Sequence, residues 1–152
     1  MSCQNFMTPD PLSVREDDTI GHAAKQIIEH RYINLPVVDA KGGLVGMFGI
    51  YDLLSLLVPR VAIVGNMLPN LRFMSDDLGA LHRKYEDVRD RPVGQAADRQ
   101  PVTVFVDTPI IEAVRLFCRN HTTLPVVARD TKQLVGVISY WDAARAIVGG
   151  SA

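Results

Sequence analysis

At 152 residues the chain suits one domain, or two small ones sharing a core, and is long enough to bury most of its apolar surface. Hydrophobic residues at 47% and charged residues at 22% are the balance of a soluble globular protein, and a formal net charge of −1 excludes bulk attraction to a polyanion. No apolar run approaches the ~20 residues of a membrane span, and Met1-Ser2-Cys3-Gln4-Asn5-Phe6 lacks the basic-then-apolar order of a secretory signal. Cys3 and Cys118 match no metal or redox spacing, so free thiols in a reducing compartment, the cytoplasm, are expected.

In chain order, Met7-Thr8-Pro9-Asp10-Pro11 is a turn-rich lead and Leu12-Ser13-Val14 a short strand. Asp17-Asp18-Thr19 offers helix caps before Ile20, Ala23, Ala24, Ile27 and Ile28, which share one helical face. Leu35-Pro36-Val37-Val38 reads as a strand whose proline suits a start or an edge. Asp39-Ala40-Lys41-Gly42-Gly43 is a hairpin turn, Leu44 to Ile50 the paired strand, and Tyr51 to Leu57 the opening of the next helix.

Val58 to Pro92 has no twin elsewhere in the chain. It holds a short apolar run within Pro59–Asn66, a turn at Leu68-Pro69-Asn70 and a predicted helix over Asp76–Arg91, with Leu78, Leu81, Tyr85 and Val88 on one face. The other face mixes Arg83, Lys84, Glu86, Asp87, Arg89, Asp90 and Arg91, the pattern of a solvated surface; the interleaved acids argue against nucleic acid. A linker of this length is expected to cover an edge or form a partner surface. Arg60 is the basic residue there that can be imagined to reach a phosphate.

The remaining chain repeats the first. Pro101-Val102-Thr103-Val104 answers Pro11-Leu12-Ser13-Val14, and Asp107-Thr108 answers Asp18-Thr19. Leu124-Pro125-Val126-Val127 matches Leu35-Pro36-Val37-Val38, and Leu134-Val135-Gly136 matches Leu44-Val45-Gly46, at an offset of about 90 residues. The expected organisation is repeat 1 over 3–57, a linker over 58–92 and repeat 2 over 93–149, the repeats packing with approximate two-fold symmetry.

Leu134 to Trp141 and Asp142 carries the chemistry. The run Leu134–Ile138 is a strand, Ser139 a helix N-cap, and Ala143–Val148 the helix. A strand feeding a helix aims free N–H groups and a positive dipole end at one spot, which suits a phosphate. Asp142, one turn in, can accept hydrogen bonds from the vicinal hydroxyls of a ribose. The plainer alternative is that Ser139 and Asp142 only cap the helix.

With these motifs duplicated in order, the chain resembles a pair of CBS (cystathionine β-synthase-type) domains. The resemblance rests on Met7-Thr8-Pro9, the Asp-Thr helix starts, both Leu-Pro-Val-Val strands and the Gly…Asp segments at 46–52 and 136–142. It implies an α/β fold of tandem strand–helix–strand–strand–helix repeats, adenine nucleotides (AMP, ADP, ATP, sometimes S-adenosylmethionine or cyclic dinucleotides) bound in clefts between repeats, and pairing of modules into a flat disc. The family's Gly-apolar-apolar-Thr/Ser-x-x-Asp segment supplies a phosphate-side hydroxyl and a ribose-binding Asp. Gly136 to Asp142 fits it, with Ser139 and Asp142 in those roles. Gly46 to Asp52 keeps Asp52 but has Gly49 where the hydroxyl belongs.

The resemblance also implies a base pocket. Around the second site this means Thr103, Thr122, Thr123, Leu124 and Pro125, although threonines there also serve as plain strand formers; Ser13, Ile33, Asn34, Leu35 and Pro36 are the matching positions in repeat 1. Trp141 either stacks on a base or packs in a core or interface. One dominant nucleotide, held by Ser139 and Asp142, is therefore expected.

An enzyme is not expected. His22, His30, His82 and His121 are scattered, and no metal-binding His pair, nucleophile elbow or Walker-type loop occurs. The reading is a regulatory module sensing adenine nucleotide, with no required cofactor or metal, whose output passes to an unidentified effector protein; the alternative is a ligand-free dimerisation scaffold. A homodimer is expected through apolar helix faces, notably Leu53, Leu54, Leu56, Leu57 and Ala143, Ala144, Ala146, Ile147. Neither a nucleic-acid nor a membrane partner is expected.

Overall fold

The computed structural model describes residues 1–58 and 78–150. Arg60, the run at 59–66, the turn at 68–70 and the first two residues of the expected linker helix lie outside them.

Repeat 1 runs β1 (Thr8–Pro9), β2 (Val14–Arg15), α1 (Ile20–His30), β3 (Asn34–Val38), β4 (Leu44–Gly49) and α2 (Ile50–Ser55). After α3 (Leu78–Val88) come β5 (Val104–Phe105), α4 (Ile110–Asn120), β6 (Leu124–Val127), β7 (Leu134–Ile138) and α5 (Tyr140–Gly149). Helix α1 starts where Thr19 Oγ1 accepts the His22 N–H at 3.0 Å, and it buries Ile20, Ala23, Ala24 and Ile27 on one face. It ends at Arg31 in the left-handed region (φ 55°), and α4 ends the same way at His121 (φ 48°). The two C-caps turn the chain back into equivalent strands.

Two sheets form, ordered β2-β3-β4 and β1-β7-β6-β5. Pro36 and Pro125 lie within middle strands rather than at an edge, yet they leave no broken ladder. The parallel neighbours are two residues long and pair only with Val37–Val38 and Val126–Val127, one step past each proline. The chain before each short strand is left unpaired, and in repeat 1 a cleft opens beside Leu35-Pro36.

The repeats exchange their leading segments. Strand β1 of repeat 1 pairs antiparallel with β7 of repeat 2, placing Pro9 opposite Gly136. The lead of repeat 2 answers symmetrically: Met47 N–H donates to Asp98 O at 3.0 Å and Asp98 N–H to Met47 O at 2.8 Å. Cys3 is accordingly buried with Val104, Phe117 and Ile138 in the second core, while Val93 is buried with Val14, Ile27 and Phe48 in the first. Both thiols are free, and burial pushes that of Cys3 above its ordinary value.

Helix α3 buries only its end, at Val88, with Tyr85 packed on the first core; Leu78 is exposed. The turn at its C-terminal end caps α1, since Ile20 N–H donates to Arg91 O at 2.9 Å and Gly21 N–H to Arg89 O at 2.8 Å. Of the apolar helix residues expected to seek a partner, Leu53 and Ala143 face the cores instead. They sit on the inner stripe of short amphipathic helices, where the next residue along, Leu54 or Ala144, already points outward. Leu54, Ala144 and Ile147 are exposed.

The crossings need glycine. A Cβ on Gly46 would collide with the Asp98 carbonyl oxygen, and one on Gly136 would lie 2.7 Å from Met7 Sδ and 2.9 Å from Thr8 O. Gly46→Ala should therefore cost about 2 kcal/mol, lowering the melting temperature by roughly 4–8 °C in a domain of this size. Calorimetry of the variant checks this, and an unchanged melting temperature refutes the tight crossing.

Candidate functional site

Each cleft is built from both repeats. The first has a volume of about 360 Å³ and places Asp52 and Gly49 of repeat 1 against Asp98, Gln100, Thr122 and Thr123 of repeat 2. The second, about 220 Å³, places Ser139 and Asp142 against Pro11, Tyr32, Leu35 and Pro36.

Both aspartates occupy the third position of a helix that starts directly from a strand. Asp52 Oδ2 accepts the Gly49 N–H at 2.8 Å, and Oδ1 accepts no hydrogen bond among the described residues. Burial pushes its carboxyl above the ordinary value; the Gly49 N–H pulls it down, and the charge of Asp98 adds to the upward push. Asp142 is more committed. Its Oδ2 accepts both the Ser139 N–H (3.0 Å) and the Ser139 hydroxyl (2.9 Å), while its own N–H donates to Ser139 Oγ at 3.1 Å. This is a closed capping box. Arg145 Nη1 lies 3.9 Å from Asp142 Oδ1, but Arg145 is largely exposed and the ion pair contributes little.

Gly49 departs from the family pattern for a steric reason. A Cβ there would sit 2.8 Å from both Ile33 O and Asn34 Cβ, so this cleft wall is too close for a serine. Asn34 ties the repeats together: its Nδ2 donates to Thr122 Oγ1, and its Oδ1 accepts the Thr123 N–H at 3.3 Å. Asn34 and Thr123 line both clefts.

The residues expected around the second site are thus dispersed. Thr122 belongs with Asp52, and Thr123 stands between the clefts. Thr103 lines a separate cavity near Phe105 and Arg129. Leu124 and Pro125 are buried in the second core. Trp141 is 67% exposed, rests against Tyr140 and lines neither cleft, whereas its counterpart Tyr51 lines the first. Asp98, Gln100, Asn120 and His121 were not foreseen at the first cleft, nor Thr8, Leu12 and Tyr32 at the second. For Asp98, Gln100, Thr8 and Leu12 the signal was the duplicated lead before the first strand of each repeat, which is the segment exchanged; Tyr32, Asn120 and His121 come from the turns that end the two long helices. Among the described residues no helix is long and apolar enough to cross a membrane, and no cluster of His, Cys, Asp or Glu could hold a metal ion.

The family model of the CBS domain matches residues 3–59 and 93–149. The chain belongs to the CBS domain family. Its mixed α/β architecture is a tandem pair of CBS repeats. It is 28% identical over 146 residues to CBS domain-containing protein CBSX1, chloroplastic, of Arabidopsis thaliana, the match covering 93% of this chain and 61% of that protein. This CBS pair therefore spans about three-fifths of the length of such curated relatives. CBSX2 of Arabidopsis thaliana superposes with a TM-score of 0.78 at 24% identity, covering 99% of this chain and 98% of that one. CBSX2 has also been solved in complex with AMP (TM-score 0.72, 24% identity, covering 97% of this chain and 96% of that one). The CBS domain pair of protein MJ0100 has been solved in complex with 5′-methylthioadenosine and S-adenosyl-L-methionine (TM-score 0.67, 19% identity, 99% and 98% covered). At these identities the structural likeness carries the fold.

The raised Asp52 carboxyl has a consequence for stability. The folded state holds this proton more tightly than the unfolded one, so the group's favourable contribution is present below its unfolded pKa and is lost as pH rises through the folded value. At pH 7 the buried charge is a cost. Asp52→Asn keeps an oxygen for the Gly49 N–H and should raise the melting temperature at pH 7. The gain should shrink as pH falls and Asp52 takes up its proton. A gain that grows on acidification would contradict the assignment.

Proposed function

We propose that this CBS pair is a regulatory module that binds an adenosine-bearing ligand of low negative charge in the cleft beside Asp52. The observation that carries the reading is the Asp52 carboxylate. One oxygen is held by the helix-start N–H at 2.8 Å and the other is free of protein partners among the described residues, an arrangement suited to the vicinal hydroxyls of a ribose. The 360 Å³ cleft falls within the usual range for small-molecule sites, roughly 300–1,000 Å³, and the 220 Å³ cleft beside Asp142 falls below it.

The expectation that Ser139 favours the second cleft meets a competing demand. Its only hydroxyl proton already bonds to Asp142 at 2.9 Å, and a phosphate could take it only by breaking that bond. Among the described lining of the first cleft stand Asp52 and Asp98 but no Lys or Arg, so each added phosphate is repelled. AMP or a 5′-thioether of adenosine fits better than ATP. The complexes of CBSX2 with AMP and of MJ0100 with 5′-methylthioadenosine and S-adenosyl-L-methionine support this ligand class.

A ligand bridging both repeats favours one arrangement of the module and shifts its population, and the output passes to an effector protein. The free thiols suit the cytoplasm. No catalytic step is assigned.

Isothermal titration with AMP and ATP decides the site. Wild type should prefer AMP. Asp52→Ala should weaken AMP binding by roughly 10–100-fold, as loss of a charged hydrogen-bond acceptor implies, and Asp142→Ala by about threefold or less. Loss confined to Asp142→Ala would move the ligand to the second cleft, and no AMP binding at all would leave the scaffold reading.

The module is also a homodimer in this reading, joined through the exposed apolar positions of α2 and α5, where Leu54 is 51% and Ile147 61% exposed. Sedimentation equilibrium should show a dimer that persists in 1 M salt, since an apolar interface is not screened. Leu54→Glu with Ile147→Glu should give monomer. A wild-type monomer at tens of micromolar overturns the assembly.

A further inference from the structure

A third cavity, of about 290 Å³, lies where the tips of the two hairpins meet. Leu44 N–H donates to Lys132 O at 3.0 Å and Leu134 N–H to Gly42 O at 3.1 Å, locking the tips together. The walls include Val45, Pro101, Phe105 and Val127, and the polar side is made by Arg99, Arg129 and Lys132, with no carboxylate in the lining.

Each cation is held differently. The Arg129 guanidinium donates from Nη2 to Asp107 Oδ1 at 2.8 Å and from Nε to Asp107 Oδ2 at 3.4 Å, and it lies 4.2 Å over the Phe105 ring. It is fixed, and its charge is largely countered. Arg99 donates from Nε to Gly94 O at 3.2 Å, which anchors the stem and leaves the charge without a carboxylate among the described residues. Lys132 likewise has no ion pair there. Two positive charges without an ion pair among the described residues and one oriented guanidinium therefore belong to the exposed residues that line one apolar-walled space, in a chain whose net charge is −1.

The repeat supplies an internal comparison. By the offset that aligns Pro11 with Pro101 and Leu44 with Leu134, Arg99 stands where the other repeat has Pro9, and Lys132 where it has Gly42. Gly42 has φ +83°, and Lys132 occupies the same left-handed region at φ +58°. A lysine there bears a backbone cost, on the order of 1 kcal/mol, that glycine avoids. The other repeat thus makes the same crossing and turn without either cation, and Lys132 stands against local preference.

We propose that this cavity is an anion site for a phosphate dianion, free or carried on a small apolar body, separate from the two nucleotide clefts. Two unpaired cations match the dianion's charge, and Arg129 offers a pre-oriented donor. The walls have room for a compact organic group. Gln100 and Pro101 line both this cavity and the Asp52 cleft, so the phosphate of a nucleotide bound beside Asp52 is the other source of the same chemistry.

The test is an NMR titration of the full chain with inorganic phosphate at constant ionic strength, against a chloride control, followed at the amides of Leu44, Thr103 and Lys132. Phenyl phosphate and AMP are titrated in parallel. Saturable shifts at these amides are expected with phosphate, with tighter binding of phenyl phosphate if the apolar wall takes part. Lys132→Gly, which restores the residue of the other repeat, should fold at least as stably as wild type and weaken phosphate binding about tenfold; Arg99→Gln should do likewise. Asp52→Ala should leave phosphate binding unchanged, so the outcome does not depend on the adenosine reading. Unsaturable shifts, indifference to both cation variants, or loss of phosphate binding in Asp52→Ala each overturns the proposal. Shifts at these amides with AMP but not with phosphate would overturn the separate site and assign the cations to the nucleotide's own phosphate.

Discussion

The structure depends on one close approach, made twice. The lead of each repeat lies across the hairpin strand of the other, at Gly46 beneath Asp98 and at Gly136 beneath Met7 and Thr8. No side chain larger than hydrogen fits under either crossing. Each core then takes a residue from the other repeat's lead, Cys3 in one and Val93 in the other, and neither repeat closes its core alone. Such interlocking makes the two repeats one cooperative unit, and it decides where the clefts lie. Because the crossing segment continues past the hairpin strand into the short first strand of its own repeat, a cleft is bounded by the helix start of one repeat and the lead of the other. A ligand in either cleft touches both.

Within a cleft the aspartate has two duties that conflict. At the third position of a helix it satisfies an orphan N–H, and at the wall of a cleft it can bind a diol. Asp142 leans to the first, since the Ser139 hydroxyl and N–H both bond to the same oxygen. Asp52 has no serine to hold it and bears a buried charge beside Asp98. The difference traces to the distance between the Gly49 backbone and Ile33–Asn34, which excludes a side chain. Asn34, bonded to Thr122 and Thr123, stands in the wall common to both clefts, so a ligand that moves it in one cleft reshapes the other.

Most of the secondary structure was legible because periodicity and duplication agree: the α1 stripe, apart from Ile28, which is exposed at the stripe's margin, and the paired Leu-Pro-Val-Val and Leu-Val-Gly strands fall where their patterns place them. Periodicity carries no information about which repeat a segment packs on. The exchange of leads was therefore invisible, and with it the membership of Asp98 and Gln100 in the first cleft and of Thr8 and Leu12 in the second. For the same reason the pattern does not show that Thr122 lines the cleft of Asp52. Leu124 and Pro125 line neither cleft, although the equally buried Leu35 and Pro36 line the second, so burial along the strand does not separate lining from core. Thr103 follows Pro101 and Val102, where the chain turns from the first cleft toward the hairpin tips, and it ends in a different cavity.

A tandem repeat contains its own control for what folding demands. Positions at which the halves agree, such as Gly46 with Gly136 and the left-handed Arg31 with His121, are those the backbone requires. Where the halves differ although the local backbone conformation is alike, conformation did not choose the residue. Gly42 and Lys132 share a left-handed turn; Pro9 and Arg99 share the crossing; Tyr51 and Trp141 share a helix start, yet only Tyr51 enters a cleft. Gly49 and Ser139 share an extended backbone and differ only in how near the neighbouring chain lies. Local propensity leads to glycine in the first of these pairs and to a capping side chain in the last, and each repeat satisfies only one. Symmetry in the fold with asymmetry in chemistry is how a single chain presents two unlike clefts and a basic cavity on one scaffold.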